Sequence, residues 1–219
     1  MTTPDPAVTR LRQLDACAVS DALDRCGIDG ALLGITPRSV VGRRIAGRVS
    51  TVQVVERTDD TPRPHLGSRA IEAGDADTVI VVANGGRTDV SSWGGILSHA
   101  ALAAGIAGVV VDGACRDVDE ARELGFPVFA RGTVPVTARG RVVEAATDVP
   151  VEIDGLRVAP GDYLVADGSG VVRCPAEHLD RVLEIAEDIA AREARMVEAV
   201  GRGVPITEVM HDRAFDAAR

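Results

Sequence analysis

The chain is predicted to fold as an α/β domain, on three observations. Short apolar β-branched runs alternate with helix-spaced apolar residues through the first half. From Val142 the pattern changes to period 2, broken by turn residues, which is the signature of hairpins. No repeat, low-complexity run or linker divides the 219 residues, so 1–219 is read as a single domain around one sizeable core. Alternating elements followed by hairpins call for more than one sheet.

Taken in order, residues 1–5 are expected to be disordered. Ala7–Arg25 carries helical spacing in Val8, Leu11, Leu14, Ala18 and Ala22, with Gly27 as its stop and a candidate interruption at Ser20–Leu23. Ile45–Val55 reads as a strand, Thr58–Pro64 as a polar loop and Leu66–Ala73 as a short helix before the Gly74-Asp75 turn. Thr78–Val82 is a buried strand, and Asn84-Gly85-Gly86-Arg87 a turn. Gly94-Gly95 leads into a helix over Ile96–Ala104 that Gly105 closes. Val109–Val111 is a strand covered on both faces, followed by a polar corner, Asp112–Asp117, and a helix from Val118. Pro127–Ala130 is a short strand. Pro150–Ile153 and Leu156–Val158 form a hairpin through Asp154-Gly155, and Tyr163–Val165 and Val171-Val172 continue the sheet. Pro175 opens a long helix that runs to Val200 and stops at Gly201, leaving a weakly patterned tail over 202–219.

Composition narrows the function. A formal charge of -9 argues against a nucleic-acid binder, and no stretch has the length and apolarity of a membrane span or a signal peptide. The four cysteines, Cys17, Cys26, Cys115 and Cys174, lack metal-finger spacing and read as reduced thiols, so a cytoplasmic location is expected. All 24 basic residues are arginine. Without lysine there is no Schiff base, no pyridoxal phosphate anchor and no Walker-type phosphate loop.

The candidate site is the pair of polar segments flanking Val109–Val111, which a crossover would bring to one end of a sheet, where open α/β sheets bind ligands. Each residue there has two readings. Asp117 with Glu120 is a D-x-x-E helix cap, or Asp117 is a carboxylate ligand for a hard divalent ion. Arg116 is a surface arginine, or its planar fork grips a carboxylate or enolate oxygen. Gly94, Gly95, Ile96 and Leu97 are a plain turn, or they present free amides and a helix dipole to an anion. His99 lies on the nearest helix and is the histidine placed for acid-base work, whereas His65, His178 and His211 read as solvated. Cys115 has no positioned histidine in sequence, which makes a nucleophile role poor. Asp112 either caps locally or orients Arg116.

The run NGGRTDVSSWGGILSHAALAAGIAGVVVDGACRDVDEARELGFPVFARG, with VSDALDR, PGDYLVADGSGVV and AREAR, resembles the 4-hydroxy-4-methyl-2-oxoglutarate aldolases over about residues 15–201. These are class II pyruvate aldolases, and their family also holds the RraA-type regulators of ribonuclease E. The resemblance implies an α/β/β/α sandwich related to swivelling β/β/α domains. It implies a Mg²⁺ or Mn²⁺ ion on Asp117, a substrate-binding Arg116, backbone contacts from Gly94, Gly95, Ile96 and Leu97, and a catalytic glutamate, Glu193, reaching in from a neighbouring subunit. The implied assembly is a homotrimer or homohexamer. The implied reaction is cleavage of a 4-hydroxy-2-oxo acid to pyruvate and a carbonyl product, with oxaloacetate decarboxylation as a side activity. The alternative is an RraA-like non-catalytic regulator that binds a ribonuclease or helicase. One position departs from the pattern: many aldolase members carry an acidic residue in a G-[DE]-x-L turn, and here that position is Gly95.

Overall fold

The computed structural model describes residues 4–59, 61 and 63–211. Helices α1 (Pro6–Leu11) and α2 (Ala16–Arg25) open the chain. They are separated at Arg12–Asp15 rather than at Ser20–Leu23, because the Asp15 carboxylate accepts from the Ala18 amide at 2.8 Å and starts a new helix there. Of the expected disordered start, residues 1–3 lie outside the described residues. Asp5 is ordered: its side chain caps α1 and its amide donates to Asp77 at 2.7 Å.

The strands follow as β1 (Ala31–Leu32), β2 (Thr36–Pro37), β3 (Ile45–Glu56), β4 (Thr78–Ser91), β5 (Gly108–Cys115), β6 (Val128–Thr133), β7 (Val142–Thr147), β8 (Val151–Ile153), β9 (Leu156–Val158), β10 (Tyr163–Asp167) and β11 (Gly170–Cys174). Between them run α3 (Ser68–Ala73), α4 (Gly95–Ala103) and α5 (Val118–Glu123), and after them α6 (Leu179–Gly201) and α7 (Ile206–Val209). Among the described residues, one nine-stranded sheet has the order β1-β11-β10-β3-β4-β5-β6-β2, with β7 also paired to β3, and β8-β9 form a separate hairpin. Strands β3 to β6 are mutually parallel; the other pairings are antiparallel.

Side-chain alternation along these strands builds three apolar layers. Val79 and Val81, Val110, Phe129, Leu164 and Val171 point to one central core that also takes Val151, Ile153 and Val158 of the small hairpin. Ile80 and Val82, Val109 and Val111 point the other way, onto α3, α4 and α5. Val165, Val172 and Cys174 turn outward onto α1, α2 and α6. The sheet therefore curls over a shared interior with a helical layer outside each half. This is the α/β/β/α arrangement expected from the resemblance.

Two expected boundaries move, and both matter for the site. Asn84–Arg87 is a bulge within β4, since Ala83 pairs with Asp112 and Arg87 with Gly113. Asp112 holds it there, accepting from the Gly86 amide at 3.0 Å and from Arg131 at 2.6 Å, so this carboxylate orients the bulge and not Arg116. Strand β5 likewise continues through the expected polar corner to Cys115. Arg131 spans from the buried Asp112 to Asp154 in the β8-β9 turn, at 2.7 Å. Arg131→Ala strands the Asp112 charge and should lower unfolding free energy by about 2–4 kcal/mol in a urea titration. An unchanged midpoint would contradict that role.

Candidate active site

Strands β4 and β5 run parallel and end side by side, so the segments leaving their carboxyl ends meet. The Arg116 amide donates to the Trp93 carbonyl at 2.9 Å, joining the two segments directly. Trp93 is buried; its indole N–H donates to Ser98 Oγ at 3.0 Å and its ring stacks on Phe126 at 6.4 Å. That anchor fixes the turn into α4. The expected helix start is correct to one residue, with Gly94 as the cap and Gly95 first in the helix.

Asp117 adopts the left-handed conformation, φ 56° and ψ 39°, which is uncommon for a residue with a side chain. That backbone turn bears on the capping reading. Asp117 stands at the N-terminus of α5, yet its carboxylate makes no capping bond to that helix. It points across to α4, where Oδ2 accepts from the Gly95 amide at 2.9 Å and lies 3.2 Å from Arg116 Nε. Glu120 does not close a capping box either, because Oε1 is 3.0 Å from His99 Nε2 on α4. The D-x-x-E signature is present in sequence and unused as a cap.

Gly94, Gly95, Arg116 and Asp117 line one cleft together with His65, Leu66, Ser91, Ser92, Trp93, Ile96, Leu97, Thr137 and Ala138, while Glu120 and His99 stand outside this lining, Glu120 packed against Gly95. The expected substrate-contacting positions Gly94, Gly95, Ile96, Leu97 and Arg116 and the expected metal ligand Asp117 are brought together here. Leu97 is buried in the helical layer and offers only its backbone, whereas Ile96 is 84% exposed at the rim. As the first residues of a helix, Gly95, Ile96 and Leu97 have amides with no intrahelical acceptor, and the Gly95 amide is already taken by Asp117. Glu193 is not brought in. It is exposed on α6, in the opposite helical layer.

Sequence reading missed Ser92, His65 and Thr137 as cleft residues. Ser92 is 1% exposed and its hydroxyl has no partner, a donor left over in the wall of the cleft. Its position directly before Trp93-Gly94-Gly95 was the available signal. His65 and Thr137 come from distant loops and carried none.

For a cation, the site offers the Asp117 carboxylate as its acidic donor. Among the described residues, no three His, Cys, Asp or Glu side chains group into a ready-made cage. Both printed contacts of the Asp117 carboxylate fall on Oδ2, and the cleft's other polar groups are amides, hydroxyls, a guanidinium and the His65 imidazole. Such a donor set fits Mg²⁺ or Mn²⁺, which retain waters and accept oxygens from a ligand, and does not fit a four-coordinate zinc site.

Cys115 is excluded as a nucleophile by its surroundings. Burial pushes its thiol up to about 11, and Cys174 is pushed up to about 12 for the same reason. A thiol reagent at pH 8 is expected to label exposed Cys17 and spare Cys115 and Cys174 in the native protein. Rapid labelling of Cys115 before unfolding would contradict this.

Among the described residues no helix is long and apolar enough to cross a membrane. A family model described as Aldolase/RraA, of the RraA-like group, matches residues 16–173. A 4-hydroxy-4-methyl-2-oxoglutarate aldolase of Thermus thermophilus is 35% identical over 67% of this chain and 86% of its own length. The Legionella pneumophila protein DlpA is 35% identical over 94% of this chain, which spans only 34% of DlpA. Among solved structures, a Pseudomonas syringae pv. tomato protein superposes with a TM-score of 0.84 at 35% identity, covering 95% of this chain and 99% of that one. A Streptomyces coelicolor member of the RNase ES inhibitor RraA family superposes with a TM-score of 0.80 at 30% identity, covering 89% and 99%.

Proposed function

The chain belongs to the RraA-like aldolase/RraA family, and from that premise we propose that it is a divalent-metal-dependent lyase. Its proposed reaction cleaves a 4-hydroxy-2-oxo acid of the 4-hydroxy-4-methyl-2-oxoglutarate type to pyruvate and a carbonyl product. The observation that carries this reading is the left-handed Asp117, whose carboxylate leaves its own helix to stand between Arg116 and the start of α4.

Retro-aldol cleavage leaves an electron pair on the pyruvate half as an enolate. Without lysine no imine can receive that pair, so Lewis-acid chemistry is required. A bound Mg²⁺ or Mn²⁺ would supply that Lewis acidity, with Asp117 as its protein ligand. Arg116 is fixed through Nε and the backbone, leaving its terminal nitrogens to face the developing enolate oxygen. The free amides of Ile96 and Leu97, at the positive end of α4, orient the substrate carboxylate. Decarboxylation of oxaloacetate reaches the same enolate and is the expected side activity. Exposed Glu193, with exposed Val197 and Val200 on the same helix, suits a homotrimer or homohexamer in which α6 completes a neighbour's cleft.

Trp93 is the single tryptophan of the chain and sits in the cleft wall, so tryptophan emission, excited selectively over Tyr163, reports on this site. Pyruvate titrated in the presence of Mg²⁺ is expected to change the emission saturably, and EDTA to abolish the change. No change at millimolar pyruvate would contradict the assignment of the cleft. The likeness to an RNase ES inhibitor family member supports a second reading, a non-catalytic regulator that docks on a ribonuclease or helicase. Such an effect should survive loss of the Asp117 carboxylate, which a lyase cannot.

A further inference from the structure

Gly95 is not explained by backbone conformation. It is the first residue of a helix with no left-handed φ, a backbone that any residue can adopt. What requires glycine there is space. A Cβ on residue 95 would lie 1.8 Å from Glu120 Oε2 and 2.5 Å from its Cδ, so the Glu120 carboxylate packs directly on the Gly95 α-carbon. Two carboxylates thus grip one glycine, Asp117 through its amide and Glu120 through its bare α-carbon. The second oxygen of Glu120 is held by His99 at 3.0 Å, which fixes which oxygen faces Gly95.

Resting on the lyase reading above, we propose that Glu120 is the proton acceptor for the substrate 4-hydroxyl, with His99 as its positioning residue. Glu120 reaches the cleft only at its Gly95 edge, and the other candidates at or beside the cleft are committed or unsuited. Asp117 is engaged by Gly95 and Arg116, Cys115 is buried, and His65 turns Nδ1 to the Leu66 carbonyl. In the proposed step the 4-hydroxyl proton passes to Glu120 Oε2 as the C3–C4 bond breaks. Carbon 4 leaves as a carbonyl, and the bond pair stays on carbon 3 as pyruvate enolate, its charge facing Arg116. The enolate then takes up one proton at carbon 3 to give pyruvate, which balances the proton removed. Oxaloacetate has no such hydroxyl proton to lose, so its decarboxylation does not call on Glu120.

That asymmetry is the test. In the full-length protein, Glu120→Gln should lower kcat for cleavage of 4-hydroxy-4-methyl-2-oxoglutarate by roughly 10²-fold or more, the usual size of a lost general base. Oxaloacetate decarboxylation should fall by no more than about threefold, and pyruvate binding read from Trp93 emission should be unchanged. Glu120→Asp, which keeps the carboxylate but draws it back from Gly95, should recover part of the lost cleavage and leave decarboxylation as in Glu120→Gln. His99→Ala should show the split at smaller size. Parallel loss of both reactions in Glu120→Gln, or loss of neither, would overturn the proposal. A wild type that decarboxylates oxaloacetate but cleaves no 4-hydroxy-2-oxo acid would overturn the role of Glu120 and spare the lyase site. A wild type inactive on both would overturn the lyase reading itself, and the role of Glu120 with it.

Discussion

Asp117→Asn is expected to lower metal-dependent pyruvate release by about 10³-fold, the several kcal/mol that a Lewis-acid ion contributes to the transition state. Thermal stability should stay close to wild type. Asparagine keeps the shape of aspartate, tolerates the left-handed conformation at φ 56° and retains an acceptor for the Gly95 amide. What it loses is the charge that holds a cation and faces Arg116. Asp117→Ala should be equally inactive but also less stable, by about 1 kcal/mol, because alanine has no local hydrogen bond to offset left-handed strain. The pair of variants separates chemistry from backbone strain, with turnover read by pyruvate release and stability by thermal melting. Turnover retained in Asp117→Asn would remove the metal from the account.

Arg116→Lys should lower kcat/KM by about 10²-fold, comparable to deleting one donor from an oxyanion site. The charge is conserved, so a purely long-range electrostatic role predicts little change. The geometry demands more: Nε is anchored on Asp117 at 3.2 Å while the terminal nitrogens project from a fixed plane, and an ammonium cannot do both. The side chain is 37% exposed, so the fold should be almost indifferent to the exchange. Activity near wild type in Arg116→Lys would mean that the fork is unused.

The sheet was legible because its strands are written in runs such as Val79–Val82 and Val109–Val111, where burial on both faces leaves no other pattern. That the two polar segments meet was legible because Gly94-Gly95 and Arg116-Asp117 flank one such run and a parallel crossover returns them to the same edge. What escaped depended on partners distant in sequence. Gly85-Gly86 has the composition of a chain-reversing turn, and only Asp112 and Arg131 make it a bulge inside β4. Asp15 restarts the N-terminal helix, while the polar pair Ser20-Asp21, which looked like the break, sits undisturbed within α2. Asp117 and Glu120 spell a helix cap, and no local rule says that both carboxylates will instead cross to α4. Glu193 stands exposed on α6, away from the cleft of its own chain.

The most direct test of the account is pyruvate release by the wild-type protein from 4-hydroxy-4-methyl-2-oxoglutarate and from oxaloacetate, each with Mg²⁺ and with EDTA. The account predicts release from both substrates with Mg²⁺ and none from either with EDTA. Release that persists undiminished in EDTA, or no release from either substrate with Mg²⁺ or Mn²⁺ present, would contradict it.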